Sequence, residues 1–297
     1  MTQLLDLVAE LSAGSPNRLS LPEYRQIELY SKRKSLSFAP AATDGGRPLG
    51  RIAGVCRSFL VLDAFLAAHS LTDDDRASWP RYQALPRNTP TERVVGELYR
   101  VMRVVQTVAF HPQGIVEMDN GIVKLKSIVG KVVFILDLSL AGLVLLESAV
   151  AYYLDALRQP YPTAYVESIM IQYFQDIVGE IRRYSDEGRS LYQFRAQPLL
   201  NRHFRFDCDN PKTRLDDAFL EIEIGAMHRN SALYPIDFFV ILRGVLHIIP
   251  AEALTEGRLP LADLERWRAR TPDGVTLPAA FRTRFGHEAA VVNQPMT

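Results

Sequence analysis

The chain has 297 residues, 47% of them hydrophobic and 23% charged, which is typical of a globular protein that buries a substantial core. Basic and acidic residues balance at 34 each, so no net charge draws the whole chain to nucleic acid or to anionic lipid. Its two cysteines are too few for a disulfide framework, and the N-terminal stretch with Asp6 and Glu10 lacks the basic start of a signal peptide. We therefore expect a soluble, cytoplasmic protein.

Helical periodicity dominates the first two-thirds of the chain. Apolar residues recur every three or four positions over residues 50–69, 90–109 and 163–184, which predicts amphipathic helices. Thr89-Pro90-Thr91-Glu92 combines an N-cap, a proline in the first turn and a reciprocal glutamate, so the second of these helices is expected to begin there. Shorter helices are predicted at residues 3–12, after Ser20, after Thr72, after Pro250 and at residues 261–268.

The most apolar stretch of the sequence is residues 127–157, which only four charged residues interrupt. Its longest uncharged run has nine residues, whereas a membrane-spanning helix needs about 20. We therefore predict a buried helix from residue 139 to 157, while residues 128–137 suit either a strand or a helix. Asp137 and Glu147 are expected either to lie where this stretch reaches the surface or to pair with Lys131 or an arginine.

Alternating patterns and turn signals mark the strands. Asp119-Asn120-Gly121 joins two alternating runs, which predicts a β-hairpin at residues 115–126. Residues 203–208 and 218–224 also alternate, and Arg243-Gly244 links two apolar runs that form a second predicted hairpin. The C-terminal third is therefore predicted to be sheet-rich.

Together these patterns predict an α+β fold, with a mainly helical body around a buried central helix and a C-terminal antiparallel sheet. The predicted regions are a mainly helical part at 1–197 that contains the hairpin at 115–126, a β-rich part at 198–285 with short C-terminal helices, and a tail at 286–297. The hairpin is a candidate additional member of the C-terminal sheet.

Carboxylates and imidazoles cluster in the predicted C-terminal strands and form the candidate catalytic set. Glu221 and Glu223 lie two residues apart on one strand face, and His228 and His247 follow them. Such groups bind divalent metals where they converge, with Glu223 and His228 as the candidate ligands, and paired carboxylates can divide acid and base roles. The alternative is that the two glutamates are the solvated face of an antiparallel strand. No residue pattern identifies a cofactor.

A basic stretch at residues 18–57 carries eight basic and three acidic residues and includes the predicted turn Ser31 to Ser35. With two nearby tyrosines it is a candidate site for phosphate or RNA, and a solvated surface is the alternative. Over the whole chain arginine outnumbers lysine by 28 to 6, which is typical of a GC-rich bacterial genome.

The sequence lacks G-x-S-x-G, a P-loop, G-x-G-x-x-G, H-E-x-x-H and paired C-x-x-C motifs. This lack and the balanced charge favour a cytoplasmic binding or assembly module, whose sheet edges and tail contact a protein partner or a second copy of the chain. The alternative function is an enzyme that uses the carboxylate and histidine set around a metal or a small ligand.

Overall fold

A computed structural model describes residues 33–35, 48–69, 78–158, 161–188, 191, 204–209, 211–226, 229 and 236–268. Its α-helices are α1 (Pro48–His69), α2 (Ser78–Ala84), α3 (Pro90–Phe110), α4 (Leu140–Arg158) and α5 (Thr163–Glu180). Its strands are β1 (Arg33–Ser35), β2 (Ile115–Asp119), β3 (Ile122–Val129), β4 (Val132–Ser139), β5 (Ile181–Ser185), β6 (Phe204–Asp209), β7 (Thr213–Leu215), β8 (Phe219–Ile222), β9 (Ile236–Leu242), β10 (Val245–Pro250) and β11 (Arg258–Pro260). The predicted α+β class is confirmed, and the helices predicted at residues 3–12, after Ser20 and after Thr72 lie outside the described residues.

The chain divides into two compact units. The described part of the first unit comprises residues 48–69, 78–158, 169–188 and 191, and that of the second comprises 33–35, 161–168, 204–209, 211–226, 229 and 236–268. The boundary predicted between residues 197 and 198, like the tail at 286–297, lies outside the described residues and stays a prediction.

In the first unit, helices α1, α3 and α4 pack against one another, and α3 and α4 also contact an antiparallel sheet of order β2-β3-β4-β5. Helix α3 begins as predicted, because Thr89 Oγ1 accepts a hydrogen bond from the Glu92 amide at 3.1 Å and Glu92 Oε2 accepts one from the Thr89 amide at 3.0 Å. Its predicted inward residues Val94, Leu98 and Met102 are at most 1% exposed. Each such aliphatic side chain contributes about 1.5–3 kcal/mol when removed from water.

The hairpin predicted from Asp119-Asn120-Gly121 is present as β2 and β3. Asn120 and Gly121 both have positive φ, 48° and 76°, as the two central residues of a type I′ turn require. Val123 and Leu125 are fully buried, as the alternation predicts. The hairpin pairs with β4 in the first unit and not with the C-terminal strands, because β4 continues the chain directly from β3.

The apolar stretch at residues 127–157 holds both a strand and a helix. Residues 132–139 form β4, and α4 starts at Leu140 as predicted. Ser139 caps the helix by accepting a hydrogen bond from the Gly142 amide at 3.0 Å. Gly142 is required there, since a Cβ atom would lie 2.7 Å from Leu138 Cγ. Helix α4 is buried along most of its length, and its position at the centre of the helical body stays a prediction.

Both acidic residues of this stretch pair with arginines. Glu147, in α4, accepts a hydrogen bond from Arg57 Nη2 of α1 at 3.1 Å. Asp137 lies opposite Arg183 in the sheet, with Asp137 Oδ2 3.8 Å from Arg183 Nε. The arginine alternative is therefore the correct one for both residues, and ion pairing explains why carboxylates occur in so apolar a segment.

Three local predictions are wrong. The helix predicted over residues 163–184 ends at Glu180, and Ile181–Ser185 is strand β5, because it pairs with the edge of β4. Pro80 and Pro90 predict an irregular link between them, but helix α2 extends to Ala84 and Pro80 lies in its first turn. The predicted basic turn contains strand β1, whose residues pair with β6. Local patterns do not show a pairing partner that is distant in sequence.

Within the described residues, two helices, Leu49–His69 and Leu140–Arg158, are long and apolar enough to cross a bilayer by length and composition. The most apolar parts of these helices are 44% and 72% buried inside the protein, respectively. Core helices of soluble proteins have the same properties, so the two helices are weak evidence for a membrane protein and are consistent with the predicted lack of a membrane span.

The second unit contains two sheets, of order β1-β6-β9-β10 and β11-β8-β7. All their strand pairs are antiparallel except β6 and β9, which run parallel. The second predicted hairpin is present as β9 and β10, and Arg243 and Gly244 have the positive φ values, 50° and 76°, of a type I′ turn. The segments predicted as helices after Pro250 and at residues 261–268 are 3₁₀-helices, Ala251–Ala253 and Leu261–Trp267.

An aromatic cluster forms part of the core of the second unit. The ring of Trp267 lies 5.2 Å from that of Tyr165, edge to face, and 5.4 Å from that of Tyr161. Tyr165 and Trp267 are only 6% and 7% exposed. These contacts hold the last 3₁₀-helix against residues 161–168 of the same unit.

Candidate functional site

Glu221 lies in the middle of the sheet β11-β8-β7. Strand register places Arg258 opposite it on one side and Arg214 on the other. Arg258 Nη2 is 3.7 Å from Glu221 Oε1. The carboxylate is therefore flanked by two cations across the strands, an arrangement that stabilises a sheet face and lowers the affinity of the carboxylate for a further cation.

Glu223 follows the end of β8 and is also matched with a cation. Its amide donates a hydrogen bond to the Lys212 carbonyl at 2.9 Å, and Lys212 Nζ is 3.4 Å from Glu223 Oε2. The two side chains are 68% and 85% exposed, so this pair contributes little to stability. The alternation therefore places both glutamates on the solvated side of β8, with the buried Leu220 and Ile222 on the other.

Both glutamates line an open cleft of about 830 Å³ in the second unit. Hereafter "the cleft" denotes this cavity. Its charged lining residues are Lys212, Arg214, Arg229, Glu221, Glu223, Glu252 and Glu256. Its apolar lining includes Ile224 and Leu254. The volume is in the range of ligand-binding clefts, and the lining combines apolar surface with charges of both signs.

His247 does not line the cleft. It belongs to β10, in the other sheet of the second unit, and is 4% exposed. Burial lowers the pKa of its imidazole below the ordinary value of 6.5, although Glu265 acts in the opposite direction. The structure therefore does not bring His247 together with the two glutamates, and it favours a neutral, buried imidazole.

The burial of His247 predicts a pH dependence of stability. Because the folded state disfavours protonation, the contribution of the neutral imidazole is complete above about pH 6.5 and is lost as the pH falls through the lowered pKa. We expect the unfolding free energy, measured by urea denaturation followed by Trp267 fluorescence, to decrease as the pH is lowered from about 7.5 to about 5.5. The decrease should be at most about 1.4 kcal/mol per pH unit, which is the limit for one proton. The His247→Leu variant removes this titration and should have a flatter profile, and an equally steep profile would contradict the assignment.

The proposed metal ligands are only partly described. His228 lies outside the described residues, so the pairing of Glu223 with His228 stays a prediction. Among the residues that the structure does describe, no three His, Cys, Asp or Glu side chains are placed to hold a metal ion together. Nothing in the cleft identifies a cofactor.

Two basic members of the stretch at residues 18–57 have described side chains, Arg51 and Arg57. Arg51 is 8% exposed, and Arg57 forms the ion pair with Glu147. Arg51 is therefore buried, and Arg57, with 30% of its side chain exposed, already has a carboxylate partner, so neither favours phosphate binding by this stretch. The remaining members of the stretch are outside the described residues or lie in β1, and binding of phosphate or RNA by them stays a prediction.

The sequence analysis did not identify a buried ionic cluster in the first unit. Arg100 of α3 donates two hydrogen bonds to Asp186, from Nε at 2.6 Å and from Nη2 at 2.5 Å. The Tyr184 hydroxyl and the Gly188 amide also donate to Asp186, each at 2.8 Å. The side chains of Arg100 and Asp186 are 5% and 0% exposed. This two-fold pairing of a guanidinium with a carboxylate is the strongest geometry available to such a pair.

Neighbouring groups extend the ionic cluster. Glu97 lies 3.4 Å from Arg100 and accepts a hydrogen bond from the Tyr82 hydroxyl at 2.7 Å. Arg103 pairs with Glu187. The rings of Trp79, Tyr82 and Tyr184 surround the Arg100 guanidinium at 5.4–5.8 Å. Cation–π contacts therefore add to the ion pairs in holding a charge inside the protein.

The electrostatics of the ionic cluster stabilise its charged form. Burial alone would raise the pKa of Asp186, but hydrogen bonds from Arg100 and Tyr184 outweigh it, and the pKa lies below the usual 3.8. Burial raises the pKa of Tyr82 to about 12, and the hydrogen bond to Glu97 acts in the same direction. Asp186 therefore stays ionised and Tyr82 stays protonated at neutral pH. The Arg100 and Asp186 side chains are inaccessible to a ligand, and removing either partner would leave the other charge buried without its ion pair.

No sequence signal locates this cluster. Glu97 and Arg100 are an ordinary i, i+3 pair, and Asp186 is 86 residues away from Arg100. Three charged residues flank the apolar stripe of α3: Glu97, Arg100 and Arg103. They suggest that this helix is buried on more than one side, but they do not indicate which residue would pair with them.

Fold and site thus define an α+β protein with a mixed-charge cleft and a buried ionic cluster. The sequence matches no known protein family, and no curated protein and no solved structure is significantly similar to it.

Proposed function

We propose that this protein is a cytoplasmic binding or assembly module, and that the cleft receives a polypeptide segment of a partner or of a second copy of the chain. The observation that carries the proposal is that Glu221 and Glu223 face cations, Arg258 and Lys212, across and beside β8. Carboxylates so matched are suited to recognition through charge pairs rather than to metal binding or proton transfer.

The lining of the cleft supports a polypeptide as the ligand. Exposed arginines, Arg214 and Arg229, lie beside four glutamates, and aliphatic residues such as Ile224 and Leu254 lie between them. A peptide segment carries the same mixture of charges and aliphatic groups, so complementary pairs can set its orientation. The buried Cys56 is a free thiol, which fits a reducing compartment and supports the cytoplasmic assignment.

An enzyme that uses Glu221, Glu223, His228 and His247 is the second candidate. The observation in its favour is that both glutamates line one cleft. Against it stand the matched cations and the burial of His247 outside that cleft. The same experiment separates the two functions.

The experiment is native mass spectrometry of the purified, untagged protein over a concentration series, compared with the 33.5 kDa chain mass. We expect masses of two or more copies of the chain, or of the chain with a co-purified polypeptide. The Arg214→Glu variant should lower the fraction of the protein in such complexes. Arg243→Glu, an exposed arginine of the same unit outside the cleft, is the matched control and should leave it unchanged. A mass excess that matches a metal or an organic cofactor would instead support the enzyme, and an unchanged monomer at all concentrations would contradict the assembly function.

A further inference from the structure

The end of the β3–β4 hairpin is apolar on both of its faces. Ile128 and Val133 are directly opposite one another, and Val129 and Val132 form the next pair, which Gly130 and Lys131 close. Successive residues of a strand point to opposite faces, so the two pairs occupy different faces of the hairpin. Ile128, Val129 and Val133 are 54%, 37% and 38% exposed. Hereafter "the hairpin tip" denotes residues 126–133.

The rest of the same hairpin does not share this property. Away from the tip, the apolar face carries Val123, Leu125, Leu136 and Leu138, all fully buried against the first unit. The opposite face carries the cross-strand pair of Lys124 and the buried Asp137, flanked by the half-buried Ile122 and Ile135. Core packing therefore explains the aliphatic residues of the stem, but it does not explain those of the hairpin tip.

The charge around the hairpin tip has one sign. Between Asp119 and Asp137 the sequence contains Lys124, Lys126 and Lys131 and no acidic residue. These are half of the six lysines in a chain that otherwise uses arginine. Lys126 and Lys131 are exposed beside the exposed aliphatic residues. An apolar end flanked by ammonium groups is complementary to the boundary between acyl chains and anionic headgroups.

We propose that the hairpin tip docks on an anionic lipid surface. The aliphatic side chains enter the headgroup and acyl boundary, and Lys126 and Lys131 contact lipid phosphates or carboxylates. Gly130, with a φ of 61°, allows a two-residue turn, so the inserted end is narrow and its backbone hydrogen bonds are already formed. One hairpin offers few contacts, so the docking is peripheral and reversible. This inference does not depend on the function of the cleft.

The test is co-sedimentation of the full chain with vesicles of phosphatidylcholine containing about 30% phosphatidylserine, and with vesicles of phosphatidylcholine alone. We expect binding to the anionic vesicles, weaker binding to the neutral ones and loss of binding as salt rises. Lys126→Glu with Lys131→Glu should weaken binding at least about tenfold, and Ile128→Ser with Val133→Ser by about the same factor. Met118→Ser is the matched control, since Met118 is 53% exposed and pairs with Val123 beside the Asn120-Gly121 turn, at the opposite end of β3 from the hairpin tip.

A second readout is independent of affinity. Ile128→Trp places an indole at the hairpin tip, and we expect its emission to shift to the blue when anionic vesicles are added. The proposal is overturned if the wild-type chain does not sediment with anionic vesicles at low salt, or if Met118→Ser weakens binding as much as the variants of the hairpin tip. It is also overturned if those variants abolish self-association in solution while vesicle binding is absent, because the occupant would then be a second copy of the chain.

Discussion

Replacing Asp186 with alanine is expected to lower the unfolding free energy of the first unit by about 3–5 kcal/mol. The substitution leaves the Arg100 guanidinium buried and removes two of its hydrogen bonds, with Glu97 as the nearest remaining carboxylate at 3.4 Å. It also removes the acceptor of the Tyr184 hydroxyl. Guanidinium denaturation followed by Trp79 fluorescence in a Trp267→Phe background measures the effect, because Trp79 lies beside Arg100.

The matched control is Asp119→Ala, which breaks the exposed ion pair between Asp119 and Lys124. We expect no measurable change there, because exposed ion pairs contribute little. A double variant, Arg100→Met with Asp186→Leu, should recover part of the loss, since both buried charges are then removed. Equal effects of Asp186→Ala and Asp119→Ala would show that the buried ionic cluster does not support the first unit.

The same carboxylate determines how the first unit responds to acid. The pKa of Asp186 lies below 3.8 in the folded protein, so its contribution is complete above about pH 4 and is lost as the pH falls through the lowered pKa. The acid limb of the stability profile of Asp186→Ala should therefore be flatter than that of the wild-type protein, while both proteins keep the same response at neutral pH.

Replacing Tyr165 with alanine is expected to lower the stability of the second unit by about 3 kcal/mol. Tyr165 is 6% exposed and contacts the rings of both Tyr161 and Trp267, so its removal leaves a cavity beside the tryptophan. Denaturation followed by Trp267 fluorescence in a Trp79→Phe background reports the loss. The emission of folded Tyr165→Ala should also shift to the red, because water gains access to Trp267.

Leu215→Ala is the control for this prediction. Leu215 belongs to β7 of the same unit and is 45% exposed, so its truncation removes little buried area and we expect a change below about 0.5 kcal/mol. A comparable loss in Leu215→Ala, or an unchanged Trp267 transition in Tyr165→Ala, would show that the aromatic cluster does not stabilise the unit.

The candidate site was only partly accessible from the sequence. Alternation predicted that Glu221 and Glu223 lie on the solvated face of a strand; Glu221 lies in β8 on that side, and Glu223 is exposed one residue beyond the end of β8. Whether they are available for chemistry depended on Arg214, Arg258 and Lys212, and strand pairing decided which of these residues lie opposite or beside them. The burial of His247 in another sheet was likewise a consequence of strand order, which has no signature in the spacing of the four residues.

Features that depend on neighbours along the chain could be predicted from the sequence. The cap at Thr89 and Glu92, the type I′ turns at Asn120-Gly121 and Arg243-Gly244 and the helical part of the apolar stretch follow from local hydrogen bonding, backbone sterics and hydrophobic periodicity. Tertiary structure alone decided that β5 pairs with the edge of β4, that β6 runs parallel to β9, and that Arg100 meets Asp186 inside the first unit. The physical reason is that a buried charge or an edge strand takes whichever partner the packing of the whole chain brings to it, and that partner is not encoded in its own segment.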